Sequence, residues 1–327
     1  MIALRPERFY FKDFPFVSNP KKFLMITTPP KSAESVSLGY AFLITGIFSY
    51  GWLWPVMRAG VSYLPPLWFA STRVFIGALI LIFVLALQRK LKLPGRKDLP
   101  ALLSVGVCMM GLYVSLVHTA MAYIPAGRGA LLGYSTPLFV APFAMFFLGE
   151  RITPLKISGL ILGLVGLAIL FNPVEFNWAD PDAIFGSSLC LLAALSWSIA
   201  ILQMKTHEWH LTPLQLGPWQ LLVATAVTLP FSFWVAEPRP VTVNTELVLL
   251  VLYGGVLGTA VAMWSVASSI RYLGAVTTSI GLLGGPVVAI ATSVLFLGEE
   301  LTLTLVGGLV LILGGIGLVT WSDVKKN

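Results

Sequence analysis

The stretches FLGERIT (residues 147–153) and FLGEELT (residues 296–302) share the word FLGE, 149 positions apart in a chain of 327 residues. Each copy follows a long apolar run. Further identities keep the same spacing without a gap: Tyr123 with Tyr272, Pro137 with Pro286, and Gly159 with Gly308. Self-similarity at a fixed period is the signature of an internal repeat. The sequence therefore predicts two homologous halves.

The composition indicates a membrane protein. Hydrophobic residues make up 57% of the chain and charged residues 11%, whereas soluble domains carry about 25% charged residues. The apolar residues fall into blocks of about 20, the length at which a helix spans a ~30 Å hydrocarbon core. We predict an all-α polytopic membrane protein with ten spans, near 37–57, 67–88, 99–122, 126–148, 153–171, 183–203, 214–235, 246–270, 275–297 and 302–321.

At a spacing of 147, the first spans of the two halves also match, as Tyr50 and Trp197 do. The predicted division is a disordered cytoplasmic tail (1–36), a five-helix repeat (37–171), a second five-helix repeat (183–321) and a short cytoplasmic tail (322–327). Translation from Met25 is an alternative start. Because five is odd, the halves must lie inverted in the membrane.

The basic residues predict the orientation. With both termini inside, most of the 21 Lys and Arg residues face the cytoplasm, which is the usual bias of membrane proteins. Arg151 and Lys156 follow the first FLGE on the inside. Glu299, the last residue of the second FLGE, and Glu300, which follows it, lie on the outside. Inverted repeats of this kind are typical of secondary transporters.

Each half ends in a Pro-bearing span, followed by the word FLGE and a Gly-rich span. In this pattern the chain resembles the EamA-type drug/metabolite transporter superfamily over about 37–321. Within it the chain is most similar to YddG-type bacterial exporters of aromatic and other amino acids. The resemblance implies an inner-membrane exporter with a central cavity, surrounded by the first, third, fourth, sixth, eighth and ninth spans.

Aromatic residues away from the span ends are candidate substrate contacts, because their faces stack on amphipathic solutes and attract cations. Tyr50 and Trp197 are repeat-related, and Tyr134 and Trp264 also lie inside spans. The alternative is the aromatic belt at the membrane interface. Trp52, Trp54, Trp68, Trp178 and Trp321 fit that belt.

The third span carries small and polar residues at helical spacing: Ser104, Cys108, Gly111, Ser115 and His118. This stripe predicts either a cavity wall or close helix packing. Trp264 is the repeat mate of Ser115 and favours the cavity wall. Tyr113 is a further candidate, although helical periodicity places it on the opposite side of the third span.

Arg73 lies about seven residues into the second span, ~10 Å from its end. It is either an anchor for a substrate carboxylate or a residue that snorkels to the head groups or bonds a neighbouring carbonyl.

Gly133 with Pro137, and Gly285 with Pro286, weaken the fourth and ninth spans at corresponding positions, because a helix-interior Pro removes a donor and displaces a carbonyl. These four residues are candidate hinges; a harmless kink is the alternative.

None of the fourteen acidic residues lies mid-membrane, although ion-coupled transporters commonly use a buried carboxylate. The sequence favours a uniporter or exchanger of amino acids. The alternative is a proton-coupled exporter of drugs or other metabolites, with His118 as the titrating group.

Channels and intramembrane enzymes are disfavoured because no filter motif and no catalytic pair is present. No cofactor, metal, ATP or nucleic-acid motif occurs, and the Gly-rich fifth and tenth spans predict packing within the bundle or a homodimer.

Overall fold

The computed structural model describes residues 33–148, 153–170, 178–206, 210–235, 241, 243–273 and 275–324. Within these ranges every regular element is helical. In chain order the helices are α1 (Ala33–Tyr63), α2 (Pro66–Leu87), α3 (Arg96–Ala120), α4 (Ala126–Gly133), α5 (Thr136–Leu148), α6 (Pro154–Leu170), α7 (Pro181–Thr206), α8 (Pro213–Val235), α9 (Thr245–Leu273), α10 (Ala275–Gly281), α11 (Gly284–Leu297) and α12 (Leu303–Val324).

Seven helical stretches of the described chain are long and apolar enough to cross a membrane, and α6 and α12 provide two shorter apolar helices. The prediction of an all-helical polytopic membrane protein is therefore confirmed, while the count of ten spans stays a prediction. The first helix, Ala33–Tyr63, is longer than the predicted 37–57 and contains Pro55.

Irregular features recur at corresponding places in the two halves. The middle of α3 is π-helical over Ser104–Leu112, and the middle of α9 is π-helical over Tyr253–Val261. These ranges are 149 positions apart, which is the spacing of the two FLGE words. π-Helical turns are rare and are frequently found at functional sites. The backbone thus repeats even where it departs from the α-helix.

A second shared irregularity is a break between α4 and α5, matched by a break between α10 and α11. Pro137 is the second residue of α5 and Pro286 the third of α11. Both helices therefore end before the Pro and start again, where a missing N–H costs little. The carbonyl of Gly133 accepts a hydrogen bond from the Thr136 hydroxyl at 3.0 Å. The carbonyl of Leu282 accepts one from the Gly285 N–H at 2.9 Å.

The repeated word builds a helix-to-helix connection. Helix α11 ends at Leu297, and Gly298 follows with φ of 65°, a left-handed conformation that glycine adopts most readily at a helix end. Thr302 then caps α12 by accepting the Leu305 N–H at 3.2 Å. In the first copy, Thr153 likewise accepts the Lys156 N–H at 3.2 Å at the start of α6. Residues 149–152 of that copy lie outside the described residues.

Helices α6 and α12 pack closely, with Gly159 and Gly163 of α6 against Gly315 of α12. Most glycines of the fifth and tenth predicted spans therefore pack within the bundle, whereas a Cβ added at Gly307 or Gly317 would meet nothing within 4 Å. The other close pair of repeat-related helices is α2 with α8. Here the hydroxyl of Ser71 lies 2.9 Å from those of both Thr228 and Ser232.

We call the end of the bundle that holds the start of α4 and the end of α11 the α4 end, and the opposite one, at the start of α10, the α10 end. At the α4 end, α4 packs against α1, α7 and α11. Glu299 accepts the backbone N–H of Ala126 through Oε1 at 2.5 Å and that of Gly127 through Oε2 at 2.9 Å. The second FLGE glutamate therefore caps the first half's broken helix, where the helix dipole favours a negative charge.

The α10 end is arranged differently. Helix α10 packs against α9 and α12, and the Ser269 and Thr278 hydroxyls lie 3.0 Å apart. Within the described residues, α10 makes no contact with α5 comparable to that of α4 with α11. The two repeats thus form similar helices but pack them unequally at the two ends of the bundle.

Candidate functional site

A cavity of about 370 Å³ lies in the middle of the bundle. Its walls come from both halves, and five aromatic side chains contribute to them: Tyr50, Trp54, Tyr113, Tyr134 and Trp197. The Tyr113 and Trp197 rings meet edge to face with centroids 4.4 Å apart. The Trp54 and Tyr134 rings are tilted, with centroids 6.2 Å apart. The Tyr113–Trp197 pair joins the two halves, and both pairs form rigid walls with large apolar faces.

Corresponding positions of the two repeats line the cavity. On α1 and α7 these are Tyr50 with Trp197 and Trp54 with Ile201; on α3 and α9, Met110 with Thr259, Val114 with Met263 and Val117 with Val266; at the helix breaks, Gly133 with Leu282 and Tyr134 with Leu283. A cavity lined this way lies near the pseudo-symmetry axis of the repeat. This is the usual place for a transporter's substrate site.

Most of the residues predicted from the sequence as substrate contacts or hinges meet at this cavity. Eight of them contribute to its walls: Tyr50, Arg73, Tyr113, His118, Gly133, Tyr134, Pro137 and Trp197. Gly285 and Pro286 do not, but Gly285 lies directly behind the wall. A Cβ atom added there would come within 2.5 Å of the Tyr134 hydroxyl. Glycine at 285 thus lets the break between α4 and α5 touch the break between α10 and α11.

Trp264 is an incorrect cavity prediction. Its side chain is 36% exposed and its ring lies 6.5 Å from the Phe42 ring, away from the cavity wall. Tyr113 was expected on the far side of the third span, yet it lines the cavity. Both errors have one cause. Tyr113, Val114, Val117 and His118 line the cavity but Ser115 does not, and Trp264 is the repeat mate of Ser115. The cavity therefore meets the face of the third span next to the one on which the predicted stripe was centred.

The predicted stripe of the third span divides accordingly. His118 reaches the cavity, whereas Gly111 packs near Val227 of α8. The backbone carbonyl of Cys108 accepts a hydrogen bond from the Ser196 hydroxyl at 2.7 Å. Most of the stripe therefore serves helix packing, the alternative reading of that pattern.

Arg73 does not snorkel to the membrane surface. Only 6% of its surface is exposed, and Nη1 donates to the Thr259 hydroxyl at 3.2 Å. Thr259 in turn donates to the Gly254 carbonyl at 2.7 Å, five residues back within the π-helical turn of α9. Nε has no hydrogen-bond partner among the described residues. The π-helical part of α9 thus holds the guanidinium in the cavity wall, and the Nε–H donor remains without an acceptor among the described residues.

His118 is completely buried. Its Nδ1 lies 2.7 Å from the Val114 carbonyl oxygen, which can only accept, so Nδ1 is the donor in this hydrogen bond. Its ring centroid is 5.6 Å from that of Phe69, and Nε2 has no partner among the described residues. An imidazole in this setting can accept a hydrogen bond from a solute in the cavity.

Sequence reasoning missed Trp54 and Thr259. Trp54 was assigned to the interface belt, but its side chain is 4% exposed and lines the cavity. The signal was available, since Trp54 follows Tyr50 by four residues and so shares its helix face. Thr259 had no signal of its own, because its role depends on the π-helical turn and on a contact with Arg73, 186 residues away.

The described residues that line the cavity include no Asp or Glu. Its charged group is Arg73, and its polar groups are hydroxyls, two indoles and an imidazole. Large apolar faces with a few placed polar groups are typical of small-molecule sites. The arrangement suits a solute with a bulky apolar part and a polar or negatively charged end.

The sequence matches the EamA-like transporter family twice, over residues 37–172 and 184–321. The chain is similar to the uncharacterized transporter YoaV of Bacillus subtilis, with 31% identity covering 87% of this chain and 97% of that protein. It is also 29% identical to the pseudopaline exporter CntI of Pseudomonas aeruginosa over 60% of this chain and 66% of CntI. One solved crystal structure shares the fold, with a TM-score of 0.56 and 20% identity, over 89% of this chain and 97% of that one.

Proposed function

Because the chain belongs to the EamA-like transporter family, we propose that it exports amino acids with large side chains through the central cavity by alternating access. The observation that carries this proposal is the cavity itself: about 370 Å³, with five aromatic side chains and one buried Arg in its walls. A volume of this size suits a small metabolite. The aromatic walls suit bulky side chains, and the YddG-type exporters that the sequence resembles export aromatic and other amino acids.

The proposed architecture is two inverted repeats, 37–171 and 183–321. The seven long apolar helical stretches, α6, α12 and the broken pair α4–α5 together supply ten passes. Under the positive-inside bias, the α10 end faces the cytoplasm and the α4 end faces outward. The exposed basic residues of the loop between α2 and α3, Arg89 to Lys97, lie at the α10 end and support this orientation. The location we propose is the bacterial inner membrane.

Alternating access needs elements with two arrangements. The paired breaks in α4–α5 and α10–α11 are suited to this role, because they touch at Gly285 and Tyr134 next to the cavity. In the state described here, α4 closes the cavity at its own end. Toward the α10 end the cavity is lined by Ile201, Val266 and Ser279. We therefore assign the structure to a state that is closed toward the outside.

The proposed transport is uniport or exchange. A buried carboxylate commonly carries the coupling ion, and the described cavity wall has none. His118 is the group that could bring in proton coupling, and Arg73 disfavours the alternative substrates, flat organic cations, through like-charge repulsion.

Uptake into proteoliposomes tests this function. We expect saturable uptake of labelled Phe, Leu, Met and Thr that does not depend on a pH gradient. Trp197→Ala, in the cavity, should reduce Phe uptake by about tenfold, as loss of an aromatic contact typically does. Trp264→Ala is the matched control outside the cavity and should leave it unchanged. Uptake of a flat dication in place of amino acids, or uptake only under an imposed pH gradient, would reject the proposal.

A further inference from the structure

Arg73 presents a charge without a counter-charge. Its side chain is more than nine-tenths buried, and no carboxylate is present among the described residues that line the cavity. Thr259 accepts from Nη1, and Nε–H has no acceptor in the described part of the chain. Burying a charge that is not paired is unfavourable. An anion that reaches the cavity would therefore offset the free-energy cost of burying the Arg73 charge.

The geometry of the guanidinium suits one kind of anion. Thr259 holds the Nη1 side of the group, and Nε–H on the other edge is buried without an acceptor in the described part of the chain. A carboxylate that approaches this edge can accept two parallel N–H···O bonds from Arg. Tyr50, Tyr113 and His118 lie close enough to Arg73 to interact with it electrostatically. An anion bound there would have aromatic rings beside its apolar part.

The same wall offers no equivalent partner for an ammonium group. Hydroxyls and aromatic faces can receive an ammonium, but none of them neutralises it, and Arg73 repels it. The two ends of an amino acid are therefore recognised unequally. Its carboxylate meets a positive charge and its ammonium does not meet a negative one.

We propose that Arg73 anchors the substrate carboxylate, and that the cavity accepts amphipathic monocarboxylates as a class, whether or not they carry an amino group. The inference rests on the proposed function, since it assigns a ligand class to the same cavity. It extends the substrates from amino acids to aromatic and aliphatic carboxylic acids of similar size. It also excludes the corresponding amines.

Calorimetric titration of the purified full-length protein in detergent tests this class with three matched ligands: phenylalanine, hydrocinnamate, which lacks the amino group, and phenethylamine, which lacks the carboxylate. We expect hydrocinnamate to bind at least as tightly as phenylalanine, and phenethylamine to bind at least about tenfold more weakly. Phenethylamine binding as tightly as phenylalanine, with hydrocinnamate much weaker, would overturn the inference.

Variants locate the effect at Arg73. Arg73→Gln should weaken hydrocinnamate binding by about tenfold or more, and should remove the preference for hydrocinnamate over phenethylamine. Thr259→Val should weaken hydrocinnamate binding less, because it loosens the position of the guanidinium but keeps the charge. Arg271→Gln is the charge-matched control, since Arg271 is exposed at the end of α9 and its loss should leave all three affinities unchanged.

Two further readouts keep the result interpretable. If Arg73→Gln does not fold, Arg73→Lys replaces it. This variant keeps the charge but loses the two parallel N–H donors of the guanidinium, and it should bind hydrocinnamate severalfold more weakly than the unaltered protein. An unchanged affinity in Arg73→Gln would overturn the anchor. Carboxylate binding in detergent without any amino-acid uptake into proteoliposomes would reject the export function and support the anchor, so the two failures are distinguishable.

Discussion

The α4 end and the α10 end of the bundle are built from repeat-related helices, yet they differ in packing. At the α4 end, Glu299 joins the start of α4 to the end of α11 through two backbone N–H groups. The Arg58 guanidinium also donates to the Met121 carbonyl at 2.6 Å, and the Tyr63 hydroxyl donates to Glu246. At the α10 end, α10 packs against α9 and α12, and within the described residues it has no comparable contact with α5.

The comparison teaches that one sequence pattern can support two packings. If each half can adopt either arrangement, exchanging them would close the α10 end and open the α4 end without new types of contact. That is the behaviour expected of an inverted-repeat transporter. The hydrogen bonds of Glu299 would then be specific to one of the two states. Any change that weakens them should shift the population toward the other state.

The largest expected effect is that of Glu299→Ala. It removes two hydrogen bonds to a charged acceptor, each of which contributes about 1.5–3 kcal/mol. The loss of one of them alone corresponds to a shift of roughly 10- to 100-fold between the two states. We expect a cysteine placed at Met57, a cavity residue on α1 toward the α4 end, to react that much faster with an impermeant thiol reagent from outside. Glu300→Ala is the neighbouring control, because Glu300 is exposed.

The repeat sharpens this prediction. Glu150 and Ala275 stand 149 positions from Glu299 and Ala126, respectively, although Glu150 lies outside the described residues. Glu150→Ala should therefore shift the equilibrium in the opposite direction and slow the labelling of the cysteine at Met57. Shifts of both variants in the same direction would contradict a symmetric exchange.

Gly285→Val should have the next largest effect. Its Cβ would meet the Tyr134 hydroxyl at 2.5 Å and Cζ at 2.8 Å, and overpacking of this kind costs about 1–3 kcal/mol. We expect amino-acid uptake to fall by about tenfold, with protein levels in the membrane unchanged. Gly284→Val is a matched control, because its Cβ would meet only the flexible Ile47 side chain, at 3.2 Å. Equal losses in both variants would show that contact between the two breaks is not what matters.

A smaller effect is expected when both prolines are replaced. Pro137→Ala with Pro286→Ala restores two N–H groups near the starts of α5 and α11, so each helix can extend across its break. Uptake should slow by roughly a few-fold, because hinge positions affect the rate of the conformational step, and membrane insertion should be unaffected. Unchanged uptake would show that the breaks are static features and not hinges.

Much of the architecture could be read from the sequence because it depends on local pattern. Apolar block length predicted the helical membrane protein, and the 149-residue register predicted matching weak points at Pro137 and Pro286. The 147-residue spacing of the first spans related Tyr50 to Trp197, and both line the cavity. These features follow from residues that are close in the chain or that are related by the repeat.

The remainder depends on features that α-helical spacing does not encode. Which face of α3 meets the cavity is one such feature: Tyr113 lines the cavity, whereas Ser115 and its repeat mate Trp264 do not. Glu299 was expected to mark only the outward side, but it also caps α4 through a contact that spans 173 residues. For Arg73, the sequence left an anchor, snorkelling and a structural bond open. The burial of its side chain beside Thr259 excludes snorkelling, while its role as a carboxylate anchor stays a prediction.

The most direct test of the central claim is the sidedness of thiol labelling in the otherwise unaltered protein. Met57→Cys and Val266→Cys would each be made in a background of Cys108→Ala and Cys190→Ala, then exposed to an impermeant reagent in intact cells and in inverted membrane vesicles. If the α4 end is the closed, outward end, the cysteine at Val266 reacts in inverted vesicles, and the cysteine at Met57 is protected in intact cells. Rapid reaction at Met57 in intact cells, with protection at Val266 in inverted vesicles, would contradict the account.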